Sequence, residues 1–133
     1  MTSESLAVRT SARTDLVDIT RLVAAVVRKS GIDSGICFVY VPHTTAGVTI
    51  NENADADVQR DLKNALDRLV PWEAGYAHSE GNSAAHLKAS LTGFTAAVPV
   101  ERGQMLLGTW QAVYFCEFDG PRERKAIVKV VTG

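Results

Sequence analysis

The sequence predicts an α+β domain, with a mixed or antiparallel sheet or sandwich carrying three helices. Three observations lead there. Apolar residues recur at helical spacing in two stretches, strand-like runs lie between them, and strands dominate the chain after Phe94. With 133 residues the chain has the usual length of a single domain and can bury a core without disulfide or metal staples. No internal repeat, low-complexity tract or linker divides it.

Ser5 to Thr10 alternates as a first strand does, with Leu6 and Val8 on one face and Ala7 and Arg9 on the other. Ser11 to Asp15 reads as a turn. Asp18 can accept from the first free amides of a helix whose buried face is Ile19, Leu22, Val23, Val26 and Val27, and which Ser30-Gly31 ends. Gly35 to Pro42 (GICFVYVP) is apolar on both faces, which suits a strand covered on both sides. Val48 to Ile50 is briefly extended. Asn53 offers an N-cap to a second helix, with Asp55 and Asp57 against the positive end of its dipole, Val58, Leu62, Ala65, Leu66 and Leu69 as its buried face, and Pro71 as its stop. After a loop from Pro71 to Gly81, a short helix runs from Asn82 or Ser83 through Ser90, with Leu87 and Leu91 inward and Gly93 as breaker. Phe94 to Val100 is a strand. Gln104 to Phe118 reads as one long run, divided by Gly108 as a bulge would divide it. Asp119 to Arg122 is a turn, and Lys125 to Thr132 the returning strand of a hairpin.

A hydrophobic share of 46% with 22% charged residues is that of an ordinary globular protein. No apolar run reaches the roughly 18 residues of a membrane span, and MTSESLAVRTSART lacks the pattern of a secretory signal. The expected address is therefore the cytoplasm, with no membrane partner. A formal net charge of −1 and no basic run leave nucleic acid an unexpected partner. Cys37 and Cys116 stand alone within apolar runs, so both are expected to be reduced and structural.

The chemistry-bearing residues gather around three histidines. His43 follows an apolar strand, and His78 and His86 bracket a Gly-Asn turn at a helix start. Three imidazoles with an open fourth position would suit a catalytic divalent metal, zinc first. Ordinary hydrogen-bonded histidines are the alternative. Glu52 and Glu80 are the nearest carboxylates in sequence, able to act as general base or to fix an imidazole tautomer, or else simply solvated. Thr44 and Thr45 supply a small polar edge beside His43. Asn82 and Ser83 place free backbone amides where an anion is favoured, or form a simple N-cap. Arg122 and Arg124 could clamp a phosphate, or form an exposed hairpin salt bridge. Gln111, polar inside an apolar strand, would donate to a ligand or pair with buried backbone.

HTTAGVTINEN, HSEGNSAAHLKASLTG, LLGTWQAVYFCEFDGPRERK and the closing VVTG, in this order, closely resemble the YjbQ or UPF0047 family, also described as secondary thiamine-phosphate synthase enzymes. The resemblance covers nearly the whole chain. It implies a YjbQ-type fold over residues 1–133, a homotrimer, and a site in which His43, His78 and His86 meet, with Glu52, Asn82, Gln111 and Arg122 also on motif positions. It further implies an activity joining a pyrimidine diphosphate to a thiazole phosphate, for which magnesium would be the customary ion. A histidine-bound metal fits that chemistry less naturally. The competing expectations are a metal-dependent hydrolase or lyase acting on a small phosphorylated or anionic metabolite, and a trimeric, non-catalytic metal- or metabolite-binding protein.

Overall fold

A computed structural model describes residues 3–133. In chain order the elements are β1 (Ser3–Arg9), β2 (Asp15–Asp18), α1 (Thr20–Ser30), β3 (Gly35–Tyr40), β4 (Ala46–Glu52), α2 (Ala56–Leu69), α3 (Ser83–Thr92), β5 (Thr95–Glu101), β6 (Gln104–Met105), β7 (Gln111–Glu117) and β8 (Glu123–Thr132). The expected α+β class with three helices is found. The strands form a five-stranded sheet in the order β1-β8-β3-β5-β6 and a three-stranded sheet in the order β2-β7-β4. All pairings are antiparallel.

Side-chain alternation along β7 sets the layers. Val113 and Phe115 point to one side, into a core with Val39, Val128 and Val130 of the larger sheet and Val23 and Val27 of α1. Ala112, Tyr114 and Cys116 point to the other, where with Phe118 they meet Ala85 and Ala89 of α3 and Leu66 of α2. The smaller sheet is thus a middle layer covered on both faces, which is why its central strand reads as continuously apolar. Both cysteines are buried and unpaired, with burial pushing the thiols up to about 11 for Cys37 and about 12 for Cys116.

Several expectations are corrected. Asp55, not Asn53, caps α2, its carboxylate accepting from Asp57 N. Leu22 is 46% and Leu69 73% exposed, lying outside their helices' packed stripes. On α3 the inward face is Ala84, Ala85, Lys88 and Ala89, whereas Leu87 and Leu91 point outward. Small residues let that helix lie close on the smaller sheet: a β-carbon at Gly47 would stand 2.3 Å from Thr92 Oγ1 and 2.5 Å from Gly93 O. The Lys88 chain runs beneath the helix to reach the Asp67 carboxylate.

Strand β2 runs from Asp15, the end of the expected turn, to Asp18 and pairs with β7 over four residues, too few to show a period, while Asp18 Oδ1 accepts from Thr20 N at 2.9 Å at the start of α1, as expected. The long run after Gln104 is two strands in different sheets, since β6 pairs with β5 and β7 with β2 and β4. Likewise β8 is no hairpin partner of β7. The turn at Asp119 to Arg122 carries the chain across to the larger sheet, where β8 lies between β1 and β3. Among the described residues, no helix is long and apolar enough to cross a membrane.

Candidate functional site

Where β3 runs into β4, β7 turns into β8 and α3 begins, the ends of several elements enclose a cavity of about 460 Å³. Its walls are His43, Thr44 and Thr45 from the β3–β4 connection, His78 and Glu80 from the loop before α3, Asn82 and His86 from the start of α3, and Asp119, Arg122 and Arg124 from the β7–β8 turn and strand. One contact alone, Lys125 N to the His43 ring, joins residues 82 positions apart in sequence.

Behind the cavity stands a buried ion pair. Glu117 is fully buried and Arg124 nearly so. Arg124 Nε donates to Glu117 Oε1 at 2.8 Å, and Nη2 donates to Glu117 Oε2 and to Thr45 Oγ1. Thr10 Oγ1 and Asp119 N donate to the same carboxylate, at 2.7 and 3.0 Å. Desolvation alone would raise the Glu117 carboxyl, but the Arg124 hydrogen bonds, those from Asp119 N and Thr10, and the nearby positive charge together hold it below its ordinary value. Such a pair is a fixed brace, not a mobile clamp. Removing one partner would leave a buried charge uncompensated.

Arg122 is also engaged, donating from Nε to Asp119 O at 2.8 Å and from Nη2 to Asp119 Oδ2 at 2.9 Å. The two arginines therefore do not converge on an open anion seat, as a phosphate clamp would require; nor is Arg124 an exposed hairpin residue. With both guanidiniums facing carboxylates, the cavity carries little excess positive charge.

Asn82 occupies the N-cap position of α3, but its side chain makes no cap hydrogen bond. Its Nδ2 instead donates to Asp119 Oδ2 at 2.9 Å. Because that carboxylate oxygen only accepts, the amide orientation is fixed, and the buried Asn82 Oδ1 is left without a partner. A buried acceptor without a donor is costly in a native fold and points to a ligand group that donates, or to a cation.

The three histidines do line one cavity, but they are not equivalent. His78 and His86 stand edge to face, with ring centroids 5.4 Å apart and planes at 86°. Two imidazoles sharing one tetrahedral ion, with Zn–N near 2.1 Å, place their centroids about 5 Å apart. That spacing is allowed both by a shared metal and by ordinary edge-to-face packing of two rings. His43 Nε2 accepts from Lys125 N at 3.0 Å, which puts the ring proton on Nδ1 and leaves no free nitrogen lone pair. Burial, followed by the Arg124 charge, lowers its pKa and keeps it neutral. Among the described residues, no group of three His, Cys, Asp or Glu side chains could hold a metal. Of the three histidines expected to meet at a metal, His43 thus has both ring nitrogens occupied, one by its own proton and one by Lys125 N, while His78 and His86 face each other.

Residues 4–133 match the family described as UPF0047 protein YjbQ-like. The chain belongs to the UPF0047 family. It is 50% identical over 129 residues to the UPF0047 protein YugU of Bacillus subtilis, covering 96% of this chain and 98% of that one. A UPF0047 protein of Methanocaldococcus jannaschii is 48% identical, covering 93% and 90%. Among solved structures, a YjbQ/UPF0047 protein of Clostridium acetobutylicum superposes with a TM-score of 0.95 at 50% identity, covering 96% and 99%. A Sulfolobus solfataricus protein described as of unknown function gives 0.95 at 33% identity, covering 99% and 97%. None of these four names states an activity.

In this UPF0047 chain, two motif residues lie away from the cavity. Glu52 and Gln111 face each other across the β4–β7 ladder, six residues from the Ala46–Glu117 pair at its other end, about 20 Å at strand rise. Gln111 is exposed, and its Oε1 accepts from Gly108 N, tying down the preceding loop. Glu52 gives its main-chain carbonyl to Tyr114 and Gln59. Ser83 begins α3 but does not line the cavity. Sequence reasoning missed Asp119, which joins Asn82 to Arg122, and Glu117. The latter had a signal: a carboxylate inside YFCEF is as unusual as a glutamine inside WQAVYF.

Proposed function

We propose that the cavity is the active site of a metal-dependent hydrolase or lyase acting on a small anionic metabolite, with zinc held by His78 and His86. The 5.4 Å edge-to-face pairing of those rings carries this reading. A divalent ion there would supply a Lewis acid for a ligand oxygen or for water. The other residues have separate work. Asn82 Oδ1 accepts a hydrogen bond from a hydroxyl or amine of the ligand, completing its own requirement. Glu80, 3.9 Å from His78 Nε2, either receives a proton or fixes that ring. His43, neutral, donates from Nδ1, and Arg122 Nη1, the one guanidinium nitrogen of that residue not given to Asp119 through Nε or Nη2, meets the anionic end of the ligand.

Thiamine-phosphate synthase chemistry has less support. Departure of a diphosphate calls for uncommitted cations and usually an oxygen-liganded magnesium. Here both arginines are paired, and the Asp119 carboxylate is engaged by Asn82 and Arg122.

The proposal includes self-association as a homotrimer. On the outer face of the larger sheet Ile36, Phe38 and Tyr40 are 43%, 37% and 48% exposed, an apolar stripe of the kind that contacts between protein chains cover. Sizing of the pure protein should give three chains.

The test of function is turnover by tag-free protein against p-nitrophenyl phosphate, a phosphodiester and a phosphoanhydride, with metal content measured alongside. Zinc near one per chain, with turnover abolished by chelation and restored by zinc, is the expected result. Metal-free protein with intact turnover would overturn the metal-dependent reading. Metal retention without turnover on any substrate would favour the binding-protein reading.

A further inference from the structure

A second cavity, of about 700 Å³, lies between α1, the turn after it and the β5–β6 hairpin, and shares no residue with the histidine cavity. Its apolar lining comes chiefly from Ala24, Val27, Ile32, Met105 and Leu107. Two arginines also line it: Arg28 from the last turn of α1 and Arg102 from the hairpin. Asp33 is the one acidic residue in the lining, so the positive charge is only partly balanced. Neither arginine has an ion-pair partner among the described residues, in contrast to Arg9, Arg60, Arg122 and Arg124.

Arg102 stands out in its backbone as well. Its φ is 53° and that of Gly103 is 72°, the two left-handed positions of a tight hairpin turn. Asn-Gly is the usual sequence there, because glycine has no β-carbon and asparagine tolerates the left-handed region better than other side chains do. Arg102 is the only described non-glycine residue with positive φ. A residue that works against its local conformation, on the rim of an apolar cavity that a second arginine without an ion-pair partner also lines, is better explained by a ligand than by folding.

We propose that this cavity binds a small amphipathic monocarboxylate, its apolar body on the Val27–Ile32–Met105–Leu107 floor and its carboxylate between Arg28 and Arg102. The size falls within that of ordinary small-molecule sites, about 300 to 1,000 Å³, and the combination of apolar floor and paired positive rim selects for charge at one end only. Bulk apolarity alone would accept a neutral or cationic analogue equally well.

The probe is octanoate, titrated into the full chain by calorimetry, with octanol and octylammonium as isosteric controls and amide shifts locating the site. The informative variant is Arg102→Gly, because glycine suits a φ of 53° and preserves the hairpin. Octanoate should bind with shifts confined to α1 and the β5–β6 hairpin, at least tenfold more tightly than either control, and Arg102→Gly should lose at least tenfold in affinity without loss of thermal stability. Equal binding of octanol, unchanged binding by a folded Arg102→Gly, shifts at the histidine cavity, or no binding at millimolar octanoate would each overturn the proposal.

Discussion

The two ends of the β4–β7 ladder carry similar polar residues and use them differently. At the Gln111 end, the Gln111 side chain takes Gly108 N, and Tyr114 and Gln59 close on the Glu52 carbonyl. These groups secure the chain's own backbone. At the Glu117 end, the buried Glu117–Arg124 pair holds the wall of a cavity in which Asn82 Oδ1 has no partner and two imidazoles face each other. One end has satisfied its polar groups; the other has braced them and left capacity unused. Unused capacity beside a rigid brace is what a binding site needs, since the geometry is set before the ligand arrives.

That contrast can be broken most forcefully at the brace. Arg124→Ala should cost about 3–5 kcal/mol by stranding the Glu117 carboxylate in the interior, read as a lower urea midpoint. A loss below about 1 kcal/mol, the scale of an exposed pair, would mean that the pair is not a brace. Gly47→Ala should come next, at about 1–3 kcal/mol, because the new methyl group meets the Gly93 carbonyl at the end of α3. It should also disturb the cavity, since α3 carries Asn82 and His86.

Acid sharpens the same point. Glu117 is held below its ordinary value near 4.5, so its contribution is complete above that pH and is lost as the pH falls through the lower folded-state value. His43, lowered from 6.5 and favoured neutral, acts in the same direction, weakening the fold as the pH drops below 6.5. Unfolding free energy measured from pH 7 to 3 should decline throughout, and Glu117→Gln should flatten the part below pH 4.5. A decline unchanged by that substitution would contradict the role assigned to the pair. The smallest effect belongs to the other end of the ladder: Gln111→Ala should cost about 1 kcal/mol, the worth of one hydrogen bond, and leave metal retention untouched. If retention fell, Gln111 would have to reach the cavity of a neighbouring copy, because within one chain the strand length forbids it.

Much of the architecture was legible because its signals are local. The amphipathic face of α1 and the Gly31 cap are written in adjacent residues; β3 was legible as a strand, but not its burial, since Ile36, Phe38 and Tyr40 are exposed where the run GICFVYVP reads as covered on both sides. What was illegible depends on partners distant in sequence. Nothing in KAIVKVVT tells whether β8 pairs with β7 or inserts between β1 and β3, and four residues of β2 show no period of their own. Leu87 and Leu91 misled because hydrophobicity was weighed without closeness of approach: α3 packs through alanines, as Gly47 permits. Of the candidate residues, His43, His78, His86 and Asn82 line one cavity, but Asn82 meets it through a side chain bonded to Asp119, where the sequence suggested free backbone amides. Arg124 was misread, because only the fold shows that its guanidinium points inward to Glu117.

The central claim is that His78 and His86, and not the Glu52–Gln111 end, hold a metal. Zinc affinity measured by chelator competition on tag-free wild type, His78→Ala, His86→Ala and Glu52→Gln tests it most directly. The account predicts at least a hundredfold loss for each histidine variant, with far-ultraviolet circular dichroism unchanged, and wild-type affinity for Glu52→Gln. Undiminished affinity in both folded histidine variants, or a loss confined to Glu52→Gln, would contradict it.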